Sequence, residues 1–182
     1  MHGFVCRCIL AMCVVALPAT AWAQRTPSAE SGAIGGDVGV FLPAEDQLSP
    51  GLALEGFYEY YLTARTSVRT GLGWANPNFD REEEDSLRQF RVALDVAYNW
   101  EGGTVHPFVG AGIGIYFLQL KDNGESFGDS ESKFGGTLFG GVEYFTSNTL
   151  SVKGEIRYHL VSDIGPLNPD GATISIGLKK YF

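Results

Sequence analysis

Between Gln89 and Trp100 the chain switches, residue by residue, between large apolar side chains and small or polar ones. Phe90, Val92, Leu94, Val96, Tyr98 and Trp100 stand on one side, and Gln89, Arg91, Ala93, Asp95, Ala97 and Asn99 on the other. A period of two belongs to an extended strand, whose successive side chains point to opposite faces; a helix, with its period of about 3.6, cannot present it. The same period recurs along the chain. It predicts strands at about 33–42, 52–62, 66–75, 89–100, 107–119, 133–145, 150–160 and 172–182.

Composition agrees with an all-β chain. After residue 23 no stretch approaches the ~20 apolar residues that a membrane-spanning helix needs. Gly is abundant at 24 residues and aromatic residues make up 13 %, a mixture that weakens helix interiors and favours strands. Spans of ten or so residues match a tilted strand crossing a bilayer.

Alternation alone does not say which row meets water, because apolar-inside and apolar-outside barrels read identically. Three features decide it. The polar row is rich in Gly, Ala and Ser with isolated charges of both signs, which suits a narrow packed interior better than a soluble surface. Aromatic residues fall near both ends of the apolar rows: Trp74, Phe90, Phe117, Phe134 and Tyr158 at one boundary, and Tyr60, Tyr98, Trp100, Tyr144 and Phe182 at the other. Two such girdles mark the two headgroup layers. A closed apolar exterior also far exceeds the patch that a soluble monomer exposes. The expected fold is therefore an eight-stranded antiparallel up-and-down transmembrane β-barrel. Connections after strands two, four and six are short, while those after one, three, five and seven are longer and richer in Pro, Gly and acid. That places the termini in the periplasm and the long loops outside.

The first residues have another origin. Arg7, the apolar run Ile9 to Leu17, Pro18 and the small-x-small site Ala21-Trp22-Ala23 predict a signal peptide over 1–23, cleaved before Gln24. Residues 24–32 then form a periplasmic tail and 33–182 the barrel. Cys6, Cys8 and Cys13 all lie in the signal segment, so the processed chain has no thiol for a disulfide, a metal site or a nucleophile. Of 13 basic residues, removal of Arg7 leaves 12 against 21 acidic ones, a balance that argues against nucleic acid.

The segments Pro107 to Gly114 (PFVGAGIG), Gly140 to Phe145 (GGVEYF) followed by Leu150 to Tyr158 (LSVKGEIRY), and Gly177 to Phe182 (GLKKYF) resemble the outer-membrane β-barrel family that includes the OmpA and OmpX type. The resemblance implies location in the outer membrane, and for Phe182 it implies the C-terminal aromatic signal read by the barrel-assembly machinery. Cell-wall anchoring by a further domain is not expected.

The inward row gathers Asp37, Glu55, Glu59, Asp95, Glu143 and Glu155 with Arg69, Arg91, Lys153, Arg157 and Lys179. Turns centred at Ala64 and Asn148 set Glu59 opposite Arg69 and Glu143 opposite Lys153. Unpaired charge in so narrow a space is costly, so Glu59, Arg69, Arg91, Asp95, Glu143, Lys153, Glu155 and Arg157 are expected to form an internal ion network that fills the lumen. A gated ion path is the rival reading. Asp80 with Glu82 to Asp85, and Asp122, Glu125, Asp129 and Glu131, make the second and third loops acidic; their spacing matches no calcium-binding loop.

Arg157-Tyr158-His159-Leu160-Val161-Ser162-Asp163 resembles the lipid A deacylase barrels, in which a His and a Ser two positions on hydrolyse an acyl chain. Here Ser162 lies three positions beyond His159, on the opposite face of an extended strand. His106 reads as structural, and Gly110, Gly112 and Gly114 as lumen space, since no helix follows to bind a phosphate. The expectation is a monomeric, non-enzymatic barrel with no cofactor and no metal. Its partners are outer-membrane lipid, lipopolysaccharide and the assembly machinery, and its role is structural, adhesive or surface-presenting. A small pore and a lipid A deacylase are the alternatives.

Overall fold

The computed structural model describes residues 27–45, 48–79, 82–100, 103–122, 125–126, 131–162 and 168–182, with side chains described except at 78–79, 82–86, 120–122 and 125–126. The expected signal peptide, its cleavage site at Ala21 and Ala23, and Asp163 lie outside these residues. So do the side chains of the acidic loop residues apart from Glu131.

Eight strands build the wall: β1 (Gly32–Pro43), β2 (Leu48–Tyr61), β3 (Thr66–Phe79), β4 (Glu82–Asn99), β5 (Val105–Asp122), β6 (Glu131–Ser147), β7 (Leu150–Val161) and β8 (Gly171–Tyr181). A two-residue segment, Glu125–Ser126, folds back on the end of β5. Every neighbouring pair is antiparallel, and β1 pairs with β8 from Ala33↔Tyr181 to Pro43↔Gly171, closing the barrel with no free edge. No helix of the described residues is long and apolar enough to cross a membrane. Closure is what allows strands to cross lipid, because each backbone N–H and C=O then finds a partner within the wall.

The two rows face as the alternation requires. On β4, Val92, Leu94 and Val96 are 41 %, 52 % and 52 % exposed, while Ala93, Asp95 and Ala97 between them are 5 % or less. The exposed aliphatic belt runs around all eight strands, bounded by the two aromatic girdles.

Several strands are longer than the apolar pattern indicates. β4 and β5 each have 18 residues, and β3 and β4 remain paired as far as Phe79↔Glu82. The connection expected as a long second loop is thus shortened, with Ser86 paired to Asn78 and Glu82 to Phe79. No two-residue apolar row marks these strand ends in the sequence, while pairing persists without one.

Inward glycines make room for other groups rather than for flexibility. A Cβ built at Gly112 would run into the carboxylate of Asp95 and come within 2.8 Å of the Leu94 carbonyl oxygen, and one at Gly110 would enter the ring of Phe139. Gly112→Ala is expected to destabilise the barrel by about 1–3 kcal/mol, the usual range for overpacking, read as a lower urea midpoint in lipid vesicles. An unchanged midpoint would show that Asp95 has room to move.

Candidate functional site: the sealed lumen

The lumen is filled in layers. At the turn end Ala33, Tyr61, Phe145 and Tyr181 form a buried floor. The Tyr61 and Tyr181 hydroxyls are 3.1 Å apart, and the His106 ring, held by a 2.9 Å hydrogen bond between Nε2 and the Gly103 carbonyl, lies 4.8 Å from Phe145. These rings come from β2, β5, β6 and β8, so the floor ties distant parts of the wall together.

Above the floor, Lys179 Nζ lies 2.8 Å from Glu59 Oε2 and 2.8 Å from Glu143 Oε2. Ser67 donates to Glu59 at 2.5 Å, and both Ser151 and Tyr181 donate to Glu143 Oε1. One ammonium and three hydroxyls thereby serve two carboxylates that are both almost fully buried.

The middle layer crosses the barrel. Arg69 on β3 reaches Glu155 on β7 at 2.8 Å. Arg157 on β7 reaches Asp95 on β4 at 2.8 Å and its neighbour Glu155 at 2.9 Å. Lys153 holds Asp37 at 2.6 Å and Glu155 at 2.9 Å. Phe57, Phe108 and Phe139 pack among these cations, with the Arg157 guanidinium 4.1 Å from the Phe139 ring centre and that of Arg69 4.5 Å from Phe57. Ring faces attract cations electrostatically, and here they also occupy the space between charges that water would otherwise take.

The third layer is polar. Arg91 donates to Glu55 at 2.5 Å, and its other terminal nitrogen is 3.2 Å from His159 Nδ1. A guanidinium only donates, so Nδ1 accepts and the ring carries its proton on Nε2, 2.9 Å from Thr173 Oγ1. Asp37, Gln89 and Arg91, whose Oδ1, Oε1 and Nε atoms have no hydrogen-bond partner among the described residues, line a cavity of about 30 Å³ here, the size of one or two water molecules. Toward the outer end Leu48, Leu87, Tyr116, Leu118 and Val161 form a buried apolar cluster.

All eight residues assigned to the ion network converge in this lumen, but not as the turns imply. Glu59 faces Arg69, and Glu143 faces Lys153, in register. Glu59 and Arg69 are 3.5 Å apart, longer than the contact each makes elsewhere. Glu143 pairs with Lys179 and not with Lys153, which turns to Asp37 and Glu155. Long side chains in a narrow barrel reach past their ladder partner to wherever more carboxylate oxygens meet. Reading the register by itself therefore passes over Lys179, Ser67, Ser151 and Tyr181, although their parity places all four inside. Oxygen atoms of Asp37, Glu55 and Glu155 lie within 4.8 Å of one another, a spacing that suits a hard cation, but lysine and arginine side chains already fill that place.

His159 is buried in the lumen, whereas Ser162 is exposed on the outer face and donates to the Phe134 carbonyl at 3.1 Å. The structure does not bring this pair together.

The profile of the outer membrane protein β-barrel domain family matches residues 9–182. The chain belongs to that family. No curated protein matches it in sequence. Among solved structures, this outer membrane barrel is similar to Neisserial surface protein A, at 12 % identity and a TM-score of 0.70 over 83 % of this chain and 97 % of that one. It is similar to the outer membrane protein OprG from Pseudomonas aeruginosa, at 13 % identity and 0.68 over 87 % and 99 %. The outer membrane enzyme PagL is a third, at 18 % identity and 0.50 over 81 % and 98 %. At these identities the likeness is one of fold, and a fold hosts many functions.

Proposed function

We propose that this outer membrane barrel is a closed structural element of the envelope that carries its outer hairpins to the cell surface, and that it is neither a pore nor a lipid hydrolase. The observation that carries this reading is the layered filling of the lumen, with an aromatic floor, a cross-barrel ion network and a buried apolar cluster in series. Eight strands enclose a space just wide enough for side chains, and here those side chains are tied to one another across the barrel axis. In this reading the chain is exported by cleavage after Ala23, is recognised through Phe182 during assembly, and stands in the membrane as a monomer.

Purified protein in a planar lipid bilayer is expected to give no steady, reproducible conductance steps. Regular channels of constant size would overturn the closed-lumen reading in favour of a small pore. Lipid A from cells producing the protein is expected to keep all its acyl chains; loss of one chain, restored by His159→Ala, would move the reading to an enzyme.

A further inference from the structure

The lipid-facing wall is not uniform. Outward glycines also stand at Gly136, Gly140 and Gly154, each beside larger side chains, but Gly36 and Gly56 are paired with each other across β1 and β2 and leave two adjacent strands bare. The neighbours in the same row are Leu178 on β8 and Leu72 on β3. The result is an open apolar groove of about 680 Å³, walled by Val38, Leu54, Trp74, Phe90, Val152 and Ile176.

Trp74 and Phe90 belong to the outer aromatic girdle, so one end of the groove opens at the outer headgroup layer. Two residues beyond Phe90, about 7 Å along the strand and on the same outward face, stands the exposed guanidinium of Arg88. Among the strand residues whose side chains are described, the outward-facing charged groups are Arg88 and Lys180. Lipid phosphates lie at that depth, where a cation beside the girdle matches their charge.

We propose that the groove between Val38, Leu72 and Leu178 seats an acyl chain of one phosphorylated, multiply acylated lipid of the outer leaflet, whose phosphate Arg88 binds. The glycine floor lets the chain lie against backbone, gaining dispersion contacts that a bulkier wall would deny. Arg88 supplies the bidentate fork that phosphate favours. The seat lies outside the barrel and stands whether or not the lumen conducts.

Native mass spectrometry of the full barrel released from detergent tests this, with diphosphorylated lipid A and its dephosphorylated form as probes. A Cβ at Gly56 meets no atom within 4 Å, and one at Gly36 meets only the Glu55 carbonyl oxygen at 3.4 Å, so Gly56→Leu fills the groove without disturbing the wall. Its heat-dependent gel shift is expected to match that of the unaltered protein. The unaltered barrel is expected to retain one diphosphorylated lipid A, Gly56→Leu to lose it, and Arg88→Gln to retain the two probes equally. Full retention by Gly56→Leu, equal retention of both probes by the unaltered protein, or a lipid-free dimer that Gly56→Leu dissociates would each overturn the proposal.

Discussion

Lys179→Met is expected to lower the stability of the barrel by about 3–5 kcal/mol, the cost of breaking a buried ion pair from one side. The loss is large because one ammonium serves two carboxylates, Glu59 on β2 and Glu143 on β6. Its removal leaves both carboxylates buried, with hydroxyl groups and the more distant Arg69 as their remaining donors. Lys179 also stands on β8, the strand that closes the barrel against β1, so the loss falls on closure as well as on packing. Equilibrium urea unfolding in lipid vesicles, followed by tryptophan fluorescence and gel shift, reads the effect. The double variant Lys179→Met with Glu143→Gln is expected to recover part of it, since it removes one of the stranded charges, and the two changes share a network and so do not add. A single variant with the midpoint of the unaltered protein would mean that water reaches these carboxylates and that the lumen is not sealed.

Leu94→Arg is expected to cost about 2–4 kcal/mol, the range for a cation placed on the lipid face near the bilayer midplane of an outer-membrane barrel. Leu94 is 52 % exposed in the structure, so in water the same substitution on an exposed position would change little. Leu62→Arg is the control. Leu62 is similarly exposed but lies in the short turn after β2, where the cost is expected to fall to about 0–1 kcal/mol. Equal, small costs at both positions would place water against the whole exterior and remove the membrane assignment with it.

The inside and outside of the wall were legible because each strand obeys a period of two and one row is consistently apolar. Arg91 and Val92 could be assigned to opposite faces from their neighbours alone. The register across the short turns was legible for the same reason: a turn centred at Ala64 or Asn148 fixes which residues stand opposite one another. The outer ends of β3, β4 and β5 were not. No apolar row marks the strand there, and Glu82 and Ser86 read as loop although both are paired with β3.

The seal also escaped the pattern. Tyr61, Phe145 and Tyr181 are inward aromatic residues on three different strands, and each alone resembles an ordinary packing residue; only the curvature of the closed wall brings them into one floor. Leu48 on β2 likewise meets Leu87 and Leu118, on the paired strands β4 and β5, only when the wall has curved into a barrel.

The sequence by itself determined that the chain forms strands, which side chains point inward, and that the interior must balance acids with bases, because these follow from the two-residue period and from the high cost of a lone buried charge. The tertiary structure decided which acid meets which base. Arg69 reaches Glu155, Arg157 reaches Asp95, and Lys179 joins Glu59 to Glu143 because long side chains choose partners through space across a narrow lumen, at distances set by barrel diameter and strand stagger that no local pattern encodes.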